Sequence, residues 1–303
     1  MGRRHRRQRT AWLTGLVQQM SETAIQTAAA AIRDAGALLI TAGAGMGVDS
    51  GLPDFRGTSG FWQAYPPYEK LGLRFEQLAN PALFDDDPQL AWGFYGHRLH
   101  LYRRTRPHAG FRQLLDWAAA KPGGCFVFTS NVDGQFTAAG FPADRVVECH
   151  GSIHHFQCAT PCDDSIWPAD VDVEIDEATM RAAGDLPRCP RCGGLSRPNI
   201  LMFGDGQWLS DRTDAQEARY ASWKKATAGM RVGVIECGAG TAIPTVRYES
   251  ERSARRSGGT LIRINPREPA VPAGHVPLAM PTLVAVEAIA AAIAADWAPG
   301  STR

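Results

Sequence analysis

Four of the seven cysteines fall in two close pairs, Cys158 with Cys162 and Cys189 with Cys192. The second pair reads Cys189-Pro190-Arg191-Cys192-Gly193-Gly194, and glycine after such a pair lets main-chain amides turn toward a thiolate. Four thiolates at this spacing suit tetrahedral zinc, and a site with four protein ligands is closed to substrate. The metal is therefore expected to be structural, replacing core that a polar segment of about 45 residues cannot build. The other reading is four independent thiols. The odd count excludes full disulfide pairing within one chain, and the pattern suits a reducing compartment. Cys125, Cys149 and Cys237 lie in apolar runs and read as core.

A second signal is Gly43-Ala44-Gly45-Met46-Gly47, straight after an apolar run that ends at Thr41. Glycines there let the backbone approach a pyrophosphate, and their amides can bind its oxygens. Taken alone such a loop is weak, since many are only turns. Its continuation, Gly51-Leu52-Pro53-Asp54-Phe55-Arg56-Gly57, is more specific because it departs from the usual dinucleotide fingerprint.

These residues need a scaffold. Ala37–Thr41, Cys125–Ser130, Val146–Cys149, Val232–Cys237 and Thr260–Ile264 read as short buried strands. Helical patterns lie between several of them, at Phe111–Ala120, Asp214–Ala228 and Leu283–Trp297, and Ser21 or Thr23 is placed to cap a first helix that Gly36 ends. Strands alternating with helices imply an α/β fold, a Rossmann-like doubly wound parallel sheet covered on both faces. Two segments interrupt it: a helical insertion at 61–106, and the polar, cysteine-bearing 153–197, read as a zinc ribbon. Together they form a small domain, and 21–60, 107–152 and 198–300 the nucleotide-binding one. Residues 1–20 read as a basic arm expected to be disordered, or as the product of an upstream start codon ahead of a true start at Met20; a targeting peptide is the other reading.

The 303 residues carry 32 Lys plus Arg against 31 Asp plus Glu, so charge gives no footprint for nucleic acid or acidic membranes. Hydrophobic residues at 44% fit a soluble chain, and no apolar run reaches the ~18 residues a bilayer span needs. A cytoplasmic location is expected; the oligomeric state stays open.

At the Gly-Leu-Pro-Asp-Phe-Arg-Gly stretch the chain resembles the sirtuins, NAD-dependent protein lysine deacylases. The resemblance continues in order through Thr129-Ser130-Asn131-Val132-Asp133, Glu148-Cys149-His150-Gly151, the cysteine quartet, Arg197-Pro198-Asn199-Ile200-Leu201-Met202-Phe203-Gly204-Asp205, Gly240-Thr241-Ala242 and Ile264-Asn265. It covers roughly residues 22–296. It implies that NAD is a co-substrate: the acyl oxygen of an acylated lysine attacks the nicotinamide ribose, nicotinamide leaves, and the acyl group ends on ADP-ribose. It further implies that His150 is the general base, a task a neutral imidazole performs near pH 7. Asn131 and Asp133 match residues of the nicotinamide and ribose region. Phe55 matches the aromatic that shields the reacting sugar, and Asp54 and Arg56 the loop that closes on NAD. Gly43, Ala44, Gly45, Ser130, Gly240, Thr241 and Asn265 complete the implied cofactor contacts. Phe203 and Gly204 are implied to meet the acyl-lysine, pairing with an extended substrate strand. Gly47, Ser130 and Ala242 stand where the family usually has serine, glutamine and serine. Each lost side-chain hydrogen bond would cost about 0.5–1.5 kcal/mol. ADP-ribosyl transfer or plain NAD hydrolysis on the same fold is the alternative activity.

In the helical insertion, Tyr95 and Arg98 are three residues apart, on one helix face. The pair resembles that of the sirtuin class removing malonyl, succinyl and similar acidic acyl groups. A guanidinium grips a carboxylate with two parallel hydrogen bonds, and a phenol donates a third.

Overall fold

The computed structural model describes residues 19–53, 61–63 and 65–295. A helix at 19–34 (α1) precedes strand β1 (Ala37–Ala42). After several short helical turns come α2 (Pro88–Arg104), α3 (Ala109–Ala119), β2 (Cys125–Thr129) and β3 (Val146–Glu148). The cysteine-bearing segment supplies β4 (Gly151–Cys158), β5 (Ile166–Pro168), β6 (Ile175–Asp176), β7 (Arg181–Ala182) and β8 (Ser196–Ile200). The chain closes with α4 (Asp211–Ala226), β9 (Val232–Cys237), α5 (Thr245–Ser257), β10 (Leu261–Ile264), β11 (Val276–Leu278) and α6 (Thr282–Ala295).

Six strands form one parallel sheet in the order β11-β10-β9-β1-β2-β3. The chain therefore builds outward from β1 to one side, then returns and builds to the other. The crevice where the order reverses, between β1 and β9, is where open α/β sheets bind ligands. Register makes the strand ends level: Ala42 pairs with Thr129 and with Cys237, Thr129 with Glu148, and Ile264 with Cys237. The loops leaving five strands thus emerge side by side.

Strand alternation explains the two covers. Leu38 and Ile40 pack with Ala28 and Ile32 of α1, Phe111 and Leu114 of α3, and Val286 and Ile289 of α6. Ala37 and Leu39 face the other way, with Phe126 and Phe128, against Tyr220 and Trp223 of α4 and Ala254 of α5. Ser21 and Thr23 do not cap α1, which is already helical at residue 19; Thr23 Oγ1 donates to the Gln19 carbonyl one turn back.

The helical insertion and the cysteine-bearing segment share a separate, aromatic core. Trp92 of α2 meets Phe156 of β4 at 5.1 Å between ring centroids, and its Nε1–H donates to the Ser196 carbonyl of β8 at 3.0 Å. Two glycines set the height of α2. A Cβ on Gly93 would lie 2.0 Å from the Met180 carbonyl oxygen, and one on Gly96 would lie 2.8 Å from Ile175 Cδ1. The β6–β7 hairpin therefore rests directly on that face. At 3.6 residues per turn Tyr95 and Arg98 point to the opposite side of α2. The segment at 153–197 is more strand-rich than its polar composition suggests, with β4 flanked antiparallel by β5 and β8.

Candidate active site

The level strand ends are knitted together by main-chain bonds and a few side chains. The Thr129 hydroxyl donates to the Ala42 carbonyl and accepts from the Asn131 amide, each at 3.0 Å. Asn131 Nδ2 donates to the Gly43 carbonyl at 3.0 Å, joining the loops after β1 and β2. The loops after β1 and β9 interlock through glycine. A Cβ on Gly43 would lie 2.8 Å from Ala239 Cα, and one on Gly238, whose φ is +62°, would lie 2.3 Å from the Gly45 carbonyl carbon. The Gly43 amide donates to the Cys237 carbonyl and the Gly45 amide to that of Gly238. Ala44 lies in the same turn and stays exposed. Gly238 is a requirement that the sequence reading missed.

Beyond β10, Asn265 is fully buried beneath this crevice. Its Nδ2 donates to the Ala239 carbonyl at 2.9 Å, and its Oδ1 accepts from the Arg267 and Glu268 amides. Arg247 adds two more donors to the same carbonyl. Asn265 thus braces the Gly240–Thr241 loop, and Arg247, unnoticed in the sequence, braces it with Asn265. Thr241 is exposed, its amide donating to Glu268 at 3.2 Å, and Gly240 lies against the same carboxylate.

His150 follows β3, half-buried. Burial pushes its pKa below the ordinary histidine value, partly opposed by a hydrogen bond with the Ser130 main chain, so the ring is neutral at pH 7. Ser130 is itself held by its amide on the Ala42 carbonyl. Gly151 has φ +77°, and a Cβ there would lie 2.1 Å from the Asn199 carbonyl oxygen, so the turn after His150 admits no side chain. The His150 carbonyl accepts from the Leu201 amide at 3.0 Å, which ties it to the strand leading to Phe203.

Asp133 is buried, and burial raises its carboxyl to about 6; the Gln135 amide and Arg98 oppose the rise, and Glu148 adds to it. Its carbonyl accepts Nε2–H of His154 at 2.9 Å. Asp54, Phe55 and Arg56 lie outside the described residues.

Tyr95 is fully buried, and its hydroxyl finds no hydrogen-bond partner among the described residues. The Arg98 guanidinium carbon lies 5.1 Å from the Phe94 ring centre, 5.7 Å from Tyr95 and 5.9 Å from Phe75. Phe75 in turn meets Phe203 edge-on at 6.2 Å. A continuous aromatic path therefore runs from the exposed Phe203 to the buried Arg98. Gly204 follows at φ +69°. The turn is held from beneath by a pair quoted from the sequence but given no role, Arg197 and Asp205, whose side chains are fully buried and joined at 2.6 and 2.9 Å.

The four clustered cysteines bring their Sγ atoms within 4.8 Å of one another. Cys158 to Cys192 is 3.7 Å and Cys162 to Cys189 is 3.8 Å. Metal–sulfur bonds of ~2.3 Å in a tetrahedron give an edge of about 3.8 Å, so the donor set fits zinc. The Gly194 amide points at Cys192 Sγ, 3.4 Å away. Burial works to raise the Cys189 thiol, but the Cys192 and Arg191 amides outweigh it and hold it at about 7. Cys125 and Cys237 are buried in their strands, while Cys149 is half-buried just beyond β3.

Residues 43–222 match the model of the Sir2 family. The chain is 32% identical over 226 residues to an NAD-dependent protein deacylase of Pyrococcus furiosus, covering 74% of this chain and 79% of that one. It is 29% identical over 247 residues to NAD-dependent protein deacylase 2 of Pseudomonas aeruginosa, covering 81% and 88%. Among solved structures, a Sir2 homologue in complex with NAD superposes with a TM-score of 0.67 at 25% identity, covering 88% of this chain and 93% of that one.

Proposed function

The chain belongs to the Sir2 family, and from that premise we propose that it is an NAD-dependent protein lysine deacylase that prefers acidic acyl groups. The observation that carries the activity is the meeting of His150, Asn131 and Asp133 at one sheet edge, beside the interlocked glycine loops. The Gly43-Ala44-Gly45 turn lines the crevice where a pyrophosphate binds, its Gly43 and Gly45 amides tied to the Cys237 and Gly238 carbonyls so that the exposed Ala44 faces the ligand, with Gly240 and Thr241 across from it. Neutral His150 accepts the proton of a ribose hydroxyl, and its bond to the Ser130 main chain fixes the ring that does so. Asn131, anchored on the Gly43 carbonyl, and Asp133 orient the nicotinamide end. An extended acyl-lysine strand passes Phe203 and Gly204, its acyl group following the aromatic path inward. Cys158, Cys162, Cys189 and Cys192 hold one zinc, which crosslinks the small unit framing this path and takes no part in the chemistry.

The acidic preference rests on Tyr95 and Arg98 at the buried end of that path. A donor without a partner and a guanidinium there suit a carboxylate rather than a methyl group. One incubation with NAD and matched acetyl- and succinyl-lysine peptides, followed by mass analysis, tests both claims. O-acyl-ADP-ribose is expected, formed roughly ten- to a hundredfold more efficiently from the succinyl peptide. Free ADP-ribose without deacylation means NAD hydrolysis, mass added to protein means ADP-ribosyl transfer, and unconsumed NAD means no turnover. Equal kcat/KM for the two peptides removes the acidic preference.

A further inference from the structure

We propose that Tyr102, one turn beyond Arg98 on α2, is a positioning residue for acyl selectivity, holding the Arg98 guanidinium in the plane that receives a carboxylate. This inference rests on the acidic-acyl reading and assigns a third residue to it.

The geometry is specific. Arg98 Nε and Nη2, adjacent donors on one edge of the planar guanidinium, both close on the Tyr102 phenol oxygen, at 3.1 and 2.8 Å. Two bonds to one oxygen arrest rotation about the last bonds of the side chain and so set the direction of the opposite edge. The ring faces of Phe94, Tyr95 and Phe75 confine the guanidinium, but a ring face attracts a cation without fixing its rotation about the contact. Arginine otherwise holds considerable rotamer freedom, and ordering it in advance is what makes a bidentate site selective.

The balance of donors and acceptors points the same way. A phenol has one O–H to give and two lone pairs to fill. Both Tyr102 acceptor positions are taken by Arg98, so its proton remains to be given. Tyr95, 5.7 Å from the guanidinium carbon, carries a buried hydroxyl with no partner among the described residues. Tyr102 is itself 7% exposed, so water does not readily serve either group. A buried cluster supplied with N–H and O–H donors is completed by a ligand rich in lone pairs, which a terminal carboxylate is and an acetyl methyl is not. The i, i+4 spacing that makes the contact is a property of α2 alone. It therefore survives whatever the rest of the path does when substrate enters.

The test compares wild type, Tyr102→Phe and Arg98→Met on matched acetyl- and succinyl-lysine peptides at saturating NAD. Tyr102→Phe keeps the ring and its packing and removes the oxygen. Its expected effect is a succinyl-to-acetyl selectivity about tenfold below wild type, the worth of one charged hydrogen bond, expressed in the succinyl KM rather than in kcat. Equal loss on both peptides would make Tyr102 merely structural and overturn the proposal. Unchanged selectivity in Tyr102→Phe alongside lost selectivity in Arg98→Met would overturn it while leaving the Arg98 reading intact. If wild type and Arg98→Met both treat the two peptides alike, the carboxylate site itself is refuted and Tyr102 with it.

Discussion

Replacing Asp205 by asparagine removes one charge from the most buried ion pair near the substrate turn. Its two oxygens accept four hydrogen bonds: Arg197 Nη1 and Nη2 at 2.6 and 2.9 Å, the Met202 amide at 3.3 Å and the Gln207 amide at 3.1 Å. Both partners' side chains are 0% exposed, so no solvent replaces what is lost. Asparagine keeps the shape but turns an N–H₂ toward a guanidinium, setting donor against donor and leaving the Arg197 charge unpaired. Breaking a buried pair from one side costs about 3–5 kcal/mol, and for a chain of this size that lowers Tm by roughly 5–15 °C. The same carboxylate closes the turn carrying Phe203 and Gly204, so peptide KM is expected to rise while NAD Kd stays within about twofold. Differential scanning calorimetry and peptide titrations read the two effects separately. Joint replacement Arg197→Met with Asp205→Leu is expected to recover much of the lost Tm, because neither charge is then stranded. Asp205→Asn melting within about 2 °C of wild type, with unchanged peptide KM, would refute the reasoning.

Three further outcomes are expected. Cys189→Ser lowers metal content measured by mass spectrometry from one zinc per chain and lowers Tm; unchanged melting on chelation counts against the site. His150→Ala abolishes most turnover while NAD binding by calorimetry stays within about tenfold, or ~1.4 kcal/mol, and the wild-type acid limb of kcat/KM falls below pH ~6.5 because burial depresses the ring. Asp133 is raised from 3.8 to about 6, so its contribution to stability is fully present below pH ~4 and is lost as pH rises through about 6; Asp133→Asn removes that slope in denaturant titrations and gains up to ~3 kcal/mol at pH 7.5, at the expense of activity.

Legibility in the sequence followed the locality of the signal. Val232–Cys237 stands in the structure with the boundaries read from its apolar run, because a strand buried on both faces leaves an uninterrupted record. The cysteine quartet was equally plain, since two ligands sit within each short loop. β4 and β8 went unread: their residues alternate between an aromatic core and polar partners such as Gln157 and Asn199, which hydrogen-bond each other at 3.0 Å. A polar side chain whose side-chain partner lies 42 positions away along the chain has no local signature. Gly238 and Arg247 escaped for a related reason. Each is demanded by a loop almost 200 residues away, or by a carbonyl shared with Asn265, and neither spacing forms a motif. Tyr95 and Arg98 were legible as neighbours on a helix, whereas the two glycines that aim them inward became meaningful only once the β6–β7 hairpin lay against α2.

The three departures from the family pattern follow from the same division between main chain and side chain. At Gly47 the space a Cβ would take is occupied by Leu52 Cδ1, 2.8 Å away, while the Gly47 carbonyl accepts from the Ser50 and Leu52 amides and closes the turn. A serine there would have to displace the leucine, so glycine and Leu52 form one packing solution. Ser130 contributes through its backbone: its amide bonds the Ala42 carbonyl and its main chain holds the His150 ring. The longer glutamine side chain is dispensable to both contacts. Ala242 is exposed at the rim of the crevice, where a hydroxyl would exchange one water bond for one ligand bond at small net gain. The proposed site therefore consists of loop carbonyls and amides fixed by sheet register, with His150, Asn131 and Asp133 set among them. Substitutions that spare the backbone at these three positions are therefore expected to alter NAD affinity, measured by calorimetry, by less than the sum of the hydrogen bonds they remove.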